Sequence, residues 1–311
     1  MTGSVTEDEG PTDDAAPADG LAAVCADVLA EGHEIDLAGA VRLPSADDQL
    51  VLRTEDGWVV RLPLGPAPDV EREAAALALV DGLLPVPVPA VAWTGRRRPM
   101  VAYRPVLGTP FDAAAYAAAD RRTRDRLAAS FARFLAVLHA VVPADAAAAA
   151  GVPRWSAADL LAQVEAHDDV PAGLQERVAD VVEHFREVWV AEPWSARPVL
   201  LHGAFHPGNL VLDGPVGGLA GVWGFRHALV GPPSLDLGHL ARSPDDVAPG
   251  LRRDLMQRVA EQYGRTGVVL DVDGARSAMA MADLAAGLAA GDLGDFEPDH
   301  GVWGWPGADR G

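Results

Sequence analysis

The apolar positions of the chain change period several times, and each change predicts an element. Leu21, Val24, Cys25, Val28 and Leu29 recur at helical spacing behind Asp19, which can cap a helix, and ahead of Gly32, which can end one. A short amphipathic opening helix is expected there. Two β-branched runs follow, Gln49 to Arg53 and Trp58 to Leu64, and the Thr54-Glu55-Asp56-Gly57 punctuation between them predicts an antiparallel hairpin. The helical period returns from Glu71 to Leu84 and stops at the proline-rich stretch Pro85 to Pro89. Ala90 to Thr94 and Met100 to Tyr103 then read as two further strands.

From Asp112 onward helices dominate. Leu127, Phe131, Phe134, Leu135, Leu138 and Val142 keep one apolar face through a long helix, and the low-complexity run Ala146 to Ala150 reads as a helix end or loop. Helical patterns recur at Ala157 to His167 and Leu174 to Val190, and the stretch from Pro249 to about Gly291 is helical again. Between them lie apolar segments at Val199 to Leu201, Leu210 to Leu212 and Leu219 to Phe225. The last two, joined through Asp213-Gly214-Pro215 and Gly217-Gly218, predict a second hairpin with a loop at each end where site residues can sit. No internal repeat is present. The sum is an α+β chain in two lobes, a small β-rich lobe over residues 21–104 and a larger, mainly helical lobe over 105–300. A tail over 1–20, with Glu7, Asp8, Glu9, Asp13, Asp14 and Asp19 and no basic residue, is expected to be disordered; residues 301–311 form a second tail.

Composition narrows the chemistry. A net charge of −20 and a pI near 4.7 repel nucleic acids and anionic membranes and attract a cationic small molecule, although such a charge also simply keeps a protein soluble. All 25 basic residues counted as Lys+Arg are arginines, which excludes a Walker A lysine, a Schiff-base lysine and a phosphate-pairing lysine on a strand. The single cysteine, Cys25, allows no intramolecular disulfide, makes a cysteine-based zinc site implausible, and reads as a small core residue. No apolar run is long enough to span a bilayer and the N-terminus is acidic, so a cytoplasmic location is expected.

One loop carries chemistry. His202-Gly203-Ala204-Phe205-His206-Pro207-Gly208-Asn209, set between two strand segments, resembles the catalytic loop of the aminoglycoside and macrolide phosphotransferases, which reads His-Gly-Asp-x-His-Pro-x-Asn. Arg61-Leu62-Pro63, Glu73, the Val86 to Pro89 stretch, Leu138-His139-Ala140 and Pro233-Ser234-Leu235-Asp236-Leu237 occur in that family's order, so the resemblance covers roughly residues 21–290. It implies a relative of the protein kinase fold that holds ATP or GTP between the lobes and the acceptor on the helical lobe. It also implies that Met100 to Arg104, including Met100 and Tyr103, form the hinge that reads adenine, and that Glu73 braces the phosphate-contacting side chain. Arg61 stands at or beside that side chain's position, and a guanidinium can hold phosphate bidentately.

The departures fall on the chemistry. The aspartate that accepts the acceptor's proton is replaced by Ala204; the magnesium-holding aspartate of Gly-Val-Ile-Asp-Trp is replaced by Gly224 in Gly221-Val222-Trp223-Gly224-Phe225. Asn209, the second metal ligand by the resemblance, is retained but weak alone. The glycine-bearing nucleotide loop, expected before the first strand, aligns with Leu43 to Asp48, which holds no glycine and the carboxylates of Asp47 and Asp48. Plainer readings stand beside these: Asn209 as a turn cap, His202 as a backbone partner, Asp236 as a helix-start or loop brace, His139 as a core or helix-end histidine, and Trp303 and Trp305 as packing residues. Asp213 or Asp236 as a relocated base or metal ligand is the remaining alternative. No histidine and carboxylate share a helix at metal-binding spacing, and no Gly-x-Ser-x-Gly elbow occurs. The expectation is a catalytically impaired, pseudokinase-like phosphotransferase that binds a small molecule or partner, with ATP or GTP held with weak magnesium or none. The alternatives are an active phosphotransferase with altered metal ligation and an interaction protein with an occluded cleft.

Overall fold

A strand sends alternate side chains to opposite faces, and that period of two organises the N-terminal sheet. The computed structural model describes residues 24, 26–28, 31, 35, 37, 39–43, 49–64, 68–167, 170–191, 197–240 and 249–293. The acidic tail, Cys25, Gly32, the segment from Pro44 to Asp48, Trp303 and Trp305 lie outside the described residues. Strands β1 (Val41–Leu43), β2 (Gln49–Arg53), β3 (Val59–Pro63), β4 (Val91–Thr94) and β5 (Val101–Tyr103) form one antiparallel sheet in the order β1-β2-β3-β5-β4. Leu50, Leu52, Val60, Leu62 and Ala102 face a cluster with Val24, Val28, Ile35 and Leu37 of the opening segment. Val59, Val101 and Tyr103 face the other way, toward Val70 of helix α1 (Pro68–Val80). Arg61, between Val60 and Leu62, therefore shares the α1 face.

Two boundaries of the N-terminal part differ from the sequence reading. A strand that was not expected, β1, precedes β2 and pairs with it from Val41↔Arg53 to Leu43↔Val51. This strand is three residues long with Val41 57% exposed, so it has no alternation to read. Helix α1 begins at Pro68, whose fixed φ suits the first helical turn, and ends at Val80 before Gly82 at φ +67, short of the predicted Leu84.

The helical part is built around α3 (Arg121–Val141), capped by Asp120, whose carboxylate accepts the Thr123 N–H at 2.7 Å; it follows α2 (Ala113–Ala118), capped by Asp112. Leu127, Phe131, Phe134, Leu135 and Leu138 are buried in a core that also includes Ala76, Leu77 and Val80 of α1, so one apolar cluster runs from α1 into the helices. Helices α4 (Ala144–Ala149), α5 (Ala157–Glu165) and α6 (Gln175–Phe185) follow. The predicted helix to Val190 changes to a π-helical turn at Arg186–Ala191, which seats Trp189 with its Nε1–H donating to the Gly274 carbonyl at 3.0 Å.

β7 (Val199–Leu201) pairs with β10 (Leu229–Gly231), while β6 (Thr109–Pro110), β8 (Leu210–Leu212) and β9 (Leu219–Val222) form a second small sheet. The β8–β9 hairpin stands where the sequence placed it. The predicted strand to Phe225 ends at Val222, because Gly224 adopts φ +86 and Phe225–His227 form a 3-10 turn. Helices α7 (Ser234–His239), α8 (Pro249–Gly264) and α9 (Val272–Ala290) complete the chain, the last two separated by residues 265–271, with Asp271 capping α9. Among the described residues no helix is long and apolar enough to cross a membrane.

Phe134 links this core to the motif, since its ring stacks on that of Phe205 at 5.4 Å with planes 8° apart. Both are fully buried. Phe134→Ala should lower stability by about 3–5 kcal/mol in urea unfolding. A loss under about 1 kcal/mol would mean that this contact does not hold the loop against α3.

Candidate functional site

A buried carboxylate must be given hydrogen-bond donors or it draws a proton. Asp236, fully buried in α7, receives three: the His202 N–H at 2.9 Å, the Gly203 N–H at 2.8 Å and the His139 Nε2–H at 3.1 Å. A carboxylate only accepts, so the His139 proton sits on Nε2, and Nδ1 is left to accept the Tyr263 O–H at 2.9 Å. Burial alone would raise the Asp236 pKa, but the hydrogen bonds from His139 and from the His202 N–H hold it below the usual carboxylate range. Asp236 thus grips the backbone of the motif's first two residues. Gly203 lies at φ +73, and a Cβ there would fall 1.9 Å from the His227 carbonyl oxygen, so only glycine fits.

His202 ties the loop to the segment after β9. Its Nδ1 accepts the Ala204 N–H at 3.2 Å and its Nε2–H donates to the Trp223 carbonyl at 2.9 Å, while its ring meets Phe225 edge-on at 4.5 Å. Burial, the largest influence, pushes its pKa down despite nearby Asp236, and the ring is neutral. Ala204, 5% exposed, presents only a methyl group here. Asn209 donates its Nδ2–H to the Ala204 carbonyl at 2.9 Å and lies 3.0 Å from His206 Nε2. A Cβ at Gly224 would lie 2.8 Å from Asn209 Oδ1 and 2.7 Å from its Cγ, so the amide packs into the space that a side chain at 224 would need.

At the sheet end, the Arg61 Nε–H donates to Glu73 Oε2 at 2.7 Å, with the two residues 3% and 1% exposed. Arg72 Nη1, on the next residue face of α1, donates to the Arg226 carbonyl at 3.4 Å and joins that helix to the turn after Gly224. Met100 and Tyr103 are both buried at β5. Tyr103 is in β5, whose backbone pairs with β3 on one side and β4 on the other, and Met100 is buried in the opposite-face cluster. Burial, then Glu73, pushes the Tyr103 hydroxyl above its usual range. The backbone outside the ladder is Arg104 to Gly108, where the Arg104 guanidinium stacks 3.8 Å over the Trp58 ring and Val106 lies over Gly221.

The structure therefore brings His202, Ala204, Asn209 and Gly224 into one cluster and Arg61 and Glu73 into another, with Tyr103 in β5 and Met100 just before it. Asp236 is committed to loop backbone, and Asp213 is an exposed turn residue at the far end of β8, roughly 10 Å of strand from Asn209. Neither is a relocated base. Among the described residues no group of three His, Cys, Asp or Glu could hold a metal ion, and a lone amide oxygen does not meet magnesium's demand for oxygen ligands in octahedral array. Tyr263 and Arg72 were not legible as site residues, because their partners lie 124 and 154 positions away.

A family model described as "Phosphotransferase enzyme family" matches residues 39–269. Among solved structures, the GDP and kanamycin complex of APH(2″)-IIIa aligns with TM-score 0.71 at 23% identity, covering 88% of this chain and 94% of that one. The GDP complex of wild-type aminoglycoside 2′-phosphotransferase-IIIa aligns at 0.69 and 22%, covering 89% and 94%. The macrolide 2′-phosphotransferase MphH from Brachybacterium faecium, as apoenzyme, aligns at 0.61 and 25%, covering 88% and 94%. Among curated protein sequences none matches it. The shared fold is the bilobal kinase-like one, with a β-rich N-terminal part and a mostly helical remainder.

Burial of His202 and Asp236 sets a pH dependence. Below the ordinary histidine value of 6.5 the unfolded chain protonates His202 while the native ring stays neutral, so stability is full above that pH and falls as pH drops beneath it. The depressed Asp236 carboxyl adds a second loss below the ordinary value of 3.8, as pH falls toward its lower folded value. Urea midpoints measured from about pH 8 to pH 4 should decline below about pH 6.5, and His202→Gln should flatten the upper part of that decline. A decline of the same size in the variant would assign it to other histidines.

Proposed function

The chain belongs to the phosphotransferase enzyme family, and from that membership we propose that it is a catalytically impaired phosphotransferase of the antibiotic-kinase type, which binds a nucleotide or a cationic small molecule without efficient transfer. The observation that carries this reading is the Asn209 amide packed against the bare backbone of Gly224, with the methyl of Ala204 beside it. A general base contributes about 10²- to 10⁴-fold, and charge neutralisation by metal is what phosphoryl transfer mostly relies on. Neither function has a side chain in this cluster.

A nucleotide, ATP or GTP, would be held by the backbone of Arg104 to Gly108 and by Arg61 from β3. The solved relatives named with GDP support this, and one named with kanamycin, together with the −20 charge, supports a cationic small molecule. The same reading places the lobe division near residues 104 and 105 and the protein in the cytoplasm. The near-complete burial of Arg61 and Glu73 favours a second reading, an interaction protein whose cleft is closed at its phosphate end. An active enzyme with altered metal ligation would need a carboxylate that this cluster lacks.

Two experiments separate these readings. Purified protein should show no phosphorylation of an aminoglycoside or a macrolide above background with ATP or GTP, and robust turnover on either overturns impairment. Calorimetric titration with each nucleotide should give weak binding that changes less than about twofold with magnesium, because Asn209 alone does not hold the ion; no binding at all favours the closed cleft. Ala204→Asp with Gly224→Asp should then bring a magnesium-dependent gain of about tenfold or more, since aspartate tolerates the positive φ at 224 better than most residues once Asn209 gives way. A folded double variant without that gain means the two positions are misassigned.

A further inference from the structure

Outside the cleft, four arginines of this acidic protein line one surface concavity. Arg121, Arg122 and Arg126 on the first two turns of α3 and Arg265 just past α8 line a concavity of about 460 Å³, floored by Ala129 and Gln262 and containing one carboxylate, Asp125. That carboxylate is already committed, one oxygen to Arg258 and the other at 3.7 Å from Arg121. Arg124 and Arg258 are likewise held by Asp254. Arg122 and Arg265 have no carboxylate within ion-pair range among the described residues. The dipole of this 21-residue helix is met by the N-cap carboxylate of Asp120, which accepts the Thr123 N–H and interacts with Arg126 and Arg122. Four arginines against the carboxylates of Asp120 and Asp125 leave a local excess of positive charge on a chain whose net charge is −20.

We propose that this concavity between α3 and α8 is a binding site for a compact, phosphate-bearing small anion. A guanidinium fork matches two oxygens of a phosphoryl group, and forks from two helices can share one multiply charged head where a single carboxylate would satisfy only one. The volume accommodates pyrophosphate or a phosphomonoester. The site lies outside the transfer loop and does not depend on whether the cleft binds a nucleotide.

The test is calorimetric titration of the full chain with inorganic pyrophosphate and, separately, with a sugar phosphomonoester, at low and at roughly physiological ionic strength. Binding is expected for at least one, weaker at the higher salt, and weaker by about tenfold or more in Arg122→Gln/Arg265→Gln. Ala129→Glu, which places a carboxylate in the concavity, should do the same and covers the case of a misfolded double variant. Asn209→Ala should leave the affinity unchanged. Tighter binding of pyrophosphate assigns the site to free polyphosphate, and tighter binding of the ester assigns it to a phosphorylated metabolite. Absence of binding to both, or binding that falls with Asn209→Ala and not with the arginine variants, overturns the proposal.

Discussion

The arrangement of the motif rests on one buried anion. Among the described residues no arginine pairs with Asp236; its charge is held by two backbone N–H groups of the loop and by a histidine that Tyr263 orients in turn. These bonds reach α7, α3, α8 and the His202–Gly203 backbone at once, so the loop is positioned by the interior of the helical part. Charge-assisted bonds of this kind are stronger than neutral ones, and removing a donor would leave an uncompensated charge in the core. The loop shape is therefore set from beneath, by groups that never meet a ligand.

This support makes the form of the loop independent of the side chains at 204 and 224. Ala204 is fixed through its N–H to His202 and through its carbonyl to Asn209, and neither bond uses a side chain at 204. The αL conformation of Gly224 is likewise a backbone property, held by Trp223 through its N–H to the Asn209 carbonyl and its own carbonyl to His202. The Asn209 amide packs against Gly224, in space that a side chain at 224 would need. The frame rests on backbone bonds, and so the frame alone does not report activity.

Legibility in the sequence followed the range of the interaction. Long amphipathic runs such as Arg121–Val141 and the paired runs about Thr54 to Gly57 were plain from periodicity, since each buries a face in every turn or pleat. Short elements were not: β1, β10 and α7 are three, three and six residues long, too few to establish a period, and α7 is formed mainly by the burial of Ser234 to Gly238. The cluster of His202, Ala204, Asn209 and Gly224 was readable because the motif and the hairpin after it are local. Tyr263 on His139 was not, as no spacing rule joins residues 124 positions apart. The surroundings of Met100 and Tyr103 were not legible, because a strand that is apolar on both faces reads the same whether it is central to the sheet or borders a cleft.

The absence of lysine sharpens what the Arg61–Glu73 pair can do. A lysine carries one compact charge on a flexible stem and can leave its carboxylate to meet a ligand, whereas the planar guanidinium here is gripped by Glu73 inside the sheet–helix core. Breaking a buried pair of this kind by removing one partner costs about 3–5 kcal/mol, comparable to much of a domain's net stability, so Arg61 is fixed by folding before it can serve binding. Because Arg72 on the same helix holds the Arg226 carbonyl, α1 clamps the β-sheet and the turn after Gly224 together. Both contacts fix α1 from within the fold, so this end of the sheet is held rigid by folding itself.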